Sequence, residues 1–442
     1  MNIEDYTSST AEQTTSKRQT DILKTGILIL VIASSVFFFR IIFLSKNLIY
    51  IIQFSTILLL FLVILMQAIY WKIPLYKQYF TTPVFLIFTG VFLSMLAANL
   101  FHNQNFAISL WAQRSMYFYA FYFVLHILKI PIKTLEKIII ISGVIYAFAF
   151  LIQYFAFPQV IFDVRLGVER GTIRIFLPGL AIMNLAYFIA LTRIIFKNAL
   201  NYIPYILLFF SIYILTGTRS MIAGPTIVTV LVLILSNKIK SKALIIFLVI
   251  AVAGTTYYMF QDIITNLVSI SQEQTAHSEE DIRVRAAKFF LTDFFPNKIA
   301  YITGNGEGHQ ASPFGLAINA FKINYGYYQS DIGIIGEYTK YGAFFVLGVI
   351  ILLYKGIIFR TDPRYQYIRY FFILALISLP LAQGFTSPDY IITICILMYI
   401  IDMRKESKPK NRHPIVYFKE LDANNPDIYQ NPFKYRPINP NH

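Results

Sequence analysis

The chain has 442 residues, 57% of them hydrophobic and 14% charged, where a soluble domain carries about 25% charged residues, so a water-soluble globular fold is excluded. The formal net charge of +15 does not point to nucleic acid, because most Lys and Arg sit in short segments between apolar runs, the pattern of cytoplasmic loops facing anionic lipid. The runs are about 20 residues long, enough to cross about 30 Å of hydrocarbon, and lack the alternation of barrel strands.

The expected fold class is all-α: a polytopic transmembrane helical bundle. Residues 1–24 form a polar cytoplasmic segment with no cleavable signal peptide. Spans are predicted at 25–44, 48–69, 83–101, 110–130, 137–157, 175–196, 202–217, 219–236 and 243–260, so that 25–260 holds nine spans. A large, partly helical outer loop covers 261–330. Three more spans, at 331–354, 367–386 and 389–402, occupy 331–402 and bring the total to about 12, and 403–442 is a basic cytoplasmic tail. With the N-terminus inside, the inner segments carry 25 of the 38 basic residues and the outer ones 13, although the outer side includes the longest loop. Both termini are therefore expected in the cytoplasm. Cys395 lies within an apolar run and reads as a small core residue.

The informative charges are outer cations that break the inside rule: Arg114, Arg165, Arg170, Arg174, Arg219, Arg283 and Arg285. Guanidinium is permanently charged and forks onto phosphate oxygens, so arginines at a membrane edge suit a phosphate-bearing ligand. Arg170 and Arg174 are four apart and would share a face if helical. Arg219 sits in Thr216-Gly217-Thr218-Arg219-Ser220, a tight outer turn between two short spans. In the outer loop, Ser278 and Asp281 have capping-box spacing ahead of a helix carrying Arg283, Arg285 and a phenylalanine-rich side. The segment Gly304-Asn305-Gly306-Glu307-Gly308-His309 has alternating glycines that permit close backbone approach to a ligand, or simply make a turn. Asp331, with Ser330, opens the tenth span as an N-cap, as a general base, or as both. His126, inside a span, reads as a hydrogen-bonded bundle residue. No spacing resembles a metal site, and no cofactor is expected.

In layout this sequence resembles the bacterial O-antigen polymerase and ligase superfamily, glycosyltransferases that act on polyprenyl-diphosphate-linked glycans. The matching pieces are Thr216–Ser220 on an outer hairpin, the outer Arg170 and Arg174, and the late outer loop. In that loop Arg283 leads to Phe295-Pro296-Asn297 and then to the glycine-rich Gly304–Gly308, and Asp331 stands eleven residues before Gly342. Ligases of the superfamily place a His where this chain has Asp331, which turns the expectation toward the polymerase branch.

The resemblance implies a GT-C-like fold and a metal-independent polymerase of O-antigen or capsule type at the outer (periplasmic) face. The glycan would leave undecaprenyl diphosphate for the sugar hydroxyl of another lipid-linked repeat unit. Arg219, Arg174, Arg170, Arg283, Arg285 and Arg114 are expected to hold the diphosphate. Asp331 is the first choice as base, then His309 and Glu307. A flippase, a chain-length regulator and membrane lipids are the expected partners. Rival readings are a ligase of the same superfamily, or a lipid-glycan flippase or transporter without chemistry. No internal repeat supports the last.

Overall fold

A computed structural model describes residues 21–70, 77–164, 166–169, 172–235, 281–360 and 362–406, with the backbone alone at 169, 172, 219, 220, 235 and 406. The span expected at 243–260, with Arg165, Arg170 and Ser278, lies outside the described residues. Met1–Arg404 forms one unit and Lys405–His442 a second, of which only the first two residues are described.

Long apolar stretches in hydrocarbon must bond every backbone N–H and C=O within the segment, and helices do this. In chain order they are α1 (21–35), α2 (Lys46–Tyr70), α3 (Thr81–His102), α4 (Phe106–Ala112), α5 (Phe121–Leu128), α6 (Ile132–Ala156), α7 (Leu180–Lys197), α8 (Ile203–Leu215) and α9 (Arg219–Leu235). After the undescribed stretch come α10 (Ile282–Thr292), α11 (Ala300–Thr303), α12 (Pro313–Tyr325), α13 (Gly333–Ile358), α14 (Tyr367–Ser378) and α15 (Pro388–Glu406). Five helical segments are long and apolar enough to cross a membrane: α2, α3, α6, α7 and Gln329–Ile358, which contains α13. The protein is thus mostly helical, with the helices of an all-α membrane protein.

Burial sorts these helices by position. On α15 every residue from Ile391 to Ile401 is buried, Cys395 among them, and α7 is buried along most of its length; helices apolar on all sides belong at the centre. On α2, by contrast, Ile51, Leu58, Leu62, Leu65, Met66 and Ile69 are exposed, a surface that water would not tolerate but acyl chains would. The most extensive helix pairing is α3 with α13. A Cβ on Gly90 would lie 2.7 Å from the Phe345 nitrogen, and one on Gly348 2.8 Å from the Pro83 oxygen, so glycine on each helix lets the backbones touch. Between α9 and α13, Phe290 and Phe294 of the α10 region pack with Phe314, Ile318 and Ile332 into a small core of their own.

Three local expectations are corrected. The 110–130 span is not one helix: Gln113 bonds sideways to Ser94 and Arg114 to Gln53, and the chain tightens into a 3-10 segment, Arg114–Ala120, between α4 and α5. Arg174 is not helical. Leu166–Glu169 (β1) and Thr172–Ile175 (β2) pair antiparallel with Glu169 opposite Thr172, because the β-branched Val168, Thr172, Ile173 and Ile175 favour strand. Neither Asp331 nor Ser330 caps α13. Asp331 lies in a preceding 3-10 turn, Gln329–Ile332, and the α13 N-terminus is anchored by the Ile334 amide donating to the Leu379 carbonyl at 2.9 Å. At α10, Asp281 itself is the N-cap, accepting from the Arg283 amide at 2.7 Å.

Candidate functional site

The glycine-rich loop after α11 is wedged between α3 and a kink in α13. Gly304 and Gly342 both have left-handed φ, at 73° and 75°, and they face each other: a Cβ on Gly304 would lie 2.6 Å from the Gly342 nitrogen. The Asn305 amide donates to the Thr339 carbonyl at 2.9 Å and the Gly306 amide to that of Lys340 at 2.8 Å. These are carbonyls the kink leaves without helical partners. A Cβ on Gly306 would meet Ala98 of α3 at 2.6 Å.

Just past α3, the buried Gln104 binds the loop's other half. Its amide donates to the Glu307 carbonyl at 2.8 Å, and its oxygen accepts from the His309 amide at 3.0 Å and the Ser312 hydroxyl at 2.6 Å. His102 donates from Nε2 to Asn305 Oδ1 at 3.0 Å and stacks on Phe314 with ring centroids 4.0 Å apart. Nδ1 of His309 accepts from the Ala311 amide at 3.1 Å, which leaves Nε2–H as its donor.

So anchored, Glu307 becomes the centre of a polar cluster. Its carboxylate accepts from Lys340 Nζ at 2.9 Å and from the Tyr341 hydroxyl at 3.1 Å. Lys340 also reaches Gln383 Oε1 at 3.4 Å, and the Gln383 amide donates to the Gln329 carbonyl at 2.9 Å. Nearby on α12, burial first and then the charge of Lys340 pull the Lys322 ammonium below its ordinary value, with Glu307 opposing. Arg114 donates to Gln53 Oε1 at 2.9 Å and to the Trp111 carbonyl at 3.1 Å, and lies within electrostatic reach of both Glu307 and Arg40.

Gln383 is also the link to a cavity of about 510 Å³ between α7, α9 and the end of α14, lined largely by apolar side chains. A second cavity, of about 260 Å³, shares the walls Phe176, Leu177, Pro178, Leu180 and Met221 and is bounded by Thr216 and Arg40. Arg40 ends the turn Phe37–Arg40, in which all four residues have φ between 50° and 56°. Left-handed backbone costs about 1–2 kcal/mol per non-glycine residue, and such strain gathers at functional sites. Asp389 in the wall of the larger cavity accepts from the Gly179 amide at 3.1 Å and the Ala181 amide at 3.3 Å, holding the first turn of α7 in place.

The residues expected from the sequence divide accordingly. Glu307 and His309 lie on the pinned loop, and Arg114 lies near it. Arg219 begins α9, two residues before Met221 in the cavity wall. Arg174 is half-buried on β2, next to Ile175, which lines the smaller cavity. Arg283 and Arg285 are exposed on α10, and Asp331 is exposed with its carboxylate accepting from Ser330 at 3.1 Å. Arg40, Gln104, Lys340 and Gln383 escaped the sequence reading. A cation inside an apolar run, as at Arg40 and Lys340, was the available signal. His126, paired with Asp402 at 3.1 Å and buried, is the hydrogen-bonded bundle residue expected. Among the described residues, His, Cys, Asp and Glu form no group of three that could hold a metal ion.

Compared with known proteins, the chain matches no family model and no curated protein.

Proposed function

We propose that the chain is a membrane glycosyltransferase that polymerises lipid-linked glycan repeat units, as the resemblance to the O-antigen polymerase branch implies. The reading rests on one observation above all. An apolar cavity and a cation-rich polar cluster meet at Gln383, at one end of the bundle. A substrate with an isoprenoid tail and a charged diphosphate-sugar head needs both surfaces side by side.

In the proposed reaction the acceptor hydroxyl oxygen bonds to the anomeric carbon of the donor sugar. The bond from that carbon to the diphosphate oxygen breaks, and its electron pair stays with the lipid diphosphate. The hydroxyl proton passes to a carboxylate. Cations preplaced at the leaving group stabilise the transition state more than the ground state. Arg219, Arg174 and Arg40 are assigned to the diphosphate. Glu307 is assigned as base ahead of Asp331, because it sits within the cluster, oriented by Lys340 and Tyr341. His309 remains the alternative proton carrier.

The test is extension of labelled undecaprenyl-diphosphate-linked repeats by purified protein in chelator. A ladder of products from the wild type, lost in Arg219→Ala and Glu307→Gln, supports the reading. A single transfer onto a non-repeat acceptor would make the protein a ligase, and lipid translocation with no new bond a flippase.

A further inference from the structure

A separate cavity of about 430 Å³ lies at the other end of α7 from the candidate site. The α7 start (Leu180–Asn184) lines the larger site cavity, and its last turn (Arg193, Lys197) lines this one. The separation is the length of an 18-residue helix, about 27 Å, roughly the thickness of the hydrocarbon core. The two cavities therefore open toward opposite faces of the membrane. The walls here also come from the first turns of α6 and α8 and from the 3-10 turn before α14.

The charge of this 430 Å³ cavity is one-sided. Lys133, Lys137, Arg193, Lys197 and Arg364 line it, with Glu136 as the one acid among the described lining residues. Glu136 is already committed: its buried carboxylate pairs with Arg193 and accepts from the Tyr367 hydroxyl at 2.9 Å. That leaves four cations in excess. Lys197 is within electrostatic reach of Lys133, Arg193 and Arg364 at once. Gathering like charges this closely is unfavourable, and a bound anion carrying more than one charge relieves it. Phosphate oxygens match both the ammonium and guanidinium groups.

We infer that this cavity binds the phosphate head of an anionic membrane phospholipid. A free phosphate shares the head chemistry, but the apolar wall decides between the sources. Ile140 and Ile141 line the cavity beside the cations, and Ile141 is exposed, continuing the lipid-facing side of α6. Tyr202 and Tyr205 complete the rim, as aromatic residues do at the headgroup level. By the sequence's distribution of basic residues this is the cytoplasmic face, where anionic lipid attracts such clusters.

The experiment uses the full-length protein in a neutral detergent, titrated with cardiolipin, phosphatidylglycerol, phosphatidylcholine or inorganic pyrophosphate, with lipid retention read by native mass spectrometry and thermal stability in parallel. Wild type should retain cardiolipin and phosphatidylglycerol over phosphatidylcholine and be stabilised by them. Lys133→Gln with Lys197→Gln, both exposed positions, should weaken that binding about 25-fold, at about fivefold per cation. Lys288→Gln, an exposed cation on α10, should leave it unchanged. If the double variant does not fold, Arg364→Gln alone should give the fivefold loss. The inference is overturned if pyrophosphate stabilises the protein and the lipids do not, if phosphatidylcholine binds equally well, or if the foldable variants retain lipid as the wild type does.

Discussion

Lys340 Nζ lies 2.9 Å from the Glu307 carboxylate, and this ion pair joins the glycine-rich loop to the bent part of α13. The two side chains are 10% and 28% exposed, so the pair is screened less than a surface bridge, and breaking it from one side leaves a charge in poor solvent. In a double-mutant cycle, Glu307→Gln and Lys340→Gln should show a coupling of about 1–3 kcal/mol in thermal or denaturant unfolding. A coupling near zero would mean that the two groups do not interact. Glu307→Gln should also abolish glycan extension while the protein still inserts, since Gln can accept from Tyr341 but cannot take a proton from a hydroxyl.

The loop's position depends on two glycines in contact. Gly304→Ala meets both a left-handed φ of 73° and a neighbouring backbone nitrogen at 2.6 Å. Backbone strain of about 1–2 kcal/mol and overpacking of about 1–3 kcal/mol add to a loss of about 2–5 kcal/mol. Gly26→Ala, in α1 with nothing within 4 Å of the added Cβ, should instead be neutral or stabilising by up to about 1 kcal/mol. Parallel melting curves of the two variants check both claims, and equal effects would contradict the interlock.

The bundle was legible in the sequence because hydrocarbon imposes one solution on apolar runs: the span expected at 48–69 is the helix Lys46–Tyr70. The glycine loop was legible as a pattern, whereas its anchoring was not. Gln104 reaches the Glu307 carbonyl across 203 residues, and no periodicity encodes so distant a partner. That Arg174 stands on a strand was not legible from the four-residue spacing of Arg170 and Arg174, which suits a helix face, although the β-branched Val168, Thr172, Ile173 and Ile175 favour the observed pairing of Leu166–Glu169 with Thr172–Ile175. Asp331 drew attention by its place at the start of a span, and Glu307 by its neighbours' lack of side chains. Only the fold distinguishes the exposed carboxylate from the one held among cations.

Lys322 gives the cluster a pH signature. Burial and the nearby Lys340 hold its pKa below the ordinary 10.5 in the folded protein. The folded state therefore releases this proton before the unfolded chain does. The unfolded chain binds more protons between the two values, so stability rises with pH in that window. Below the folded value the destabilising effect is present in full. Lys322→Met should consequently be more stable than wild type at neutral pH, with the advantage shrinking as pH climbs toward 10.5. Melting temperatures of both proteins from pH 7 upward test the sign. An advantage that is absent at neutral pH or grows with pH would refute it.

Arg40 carries the last prediction, because it ties strain to the proposed chemistry. Its turn keeps four consecutive side-chain-bearing residues in left-handed backbone, held on one side by the Asp163 amide donating to the Arg40 carbonyl at 2.7 Å. Arg40 borders the 260 Å³ cavity with Thr216 and Met221, and its charge reaches Arg114. Lys46, on the rim of an adjoining cavity, is already neutralised by Asp163 at 2.9 Å. If Arg40 stabilises a departing diphosphate, Arg40→Ala should slow chain extension by about a hundredfold, as removing one preorganised donor does, with substrate binding changed less. Lys46→Gln should slow it severalfold at most. Chain-length ladders from cells and single-turnover rates with purified protein separate the two, and extension at the wild-type rate in Arg40→Ala would remove this residue, and its strained turn, from the reaction.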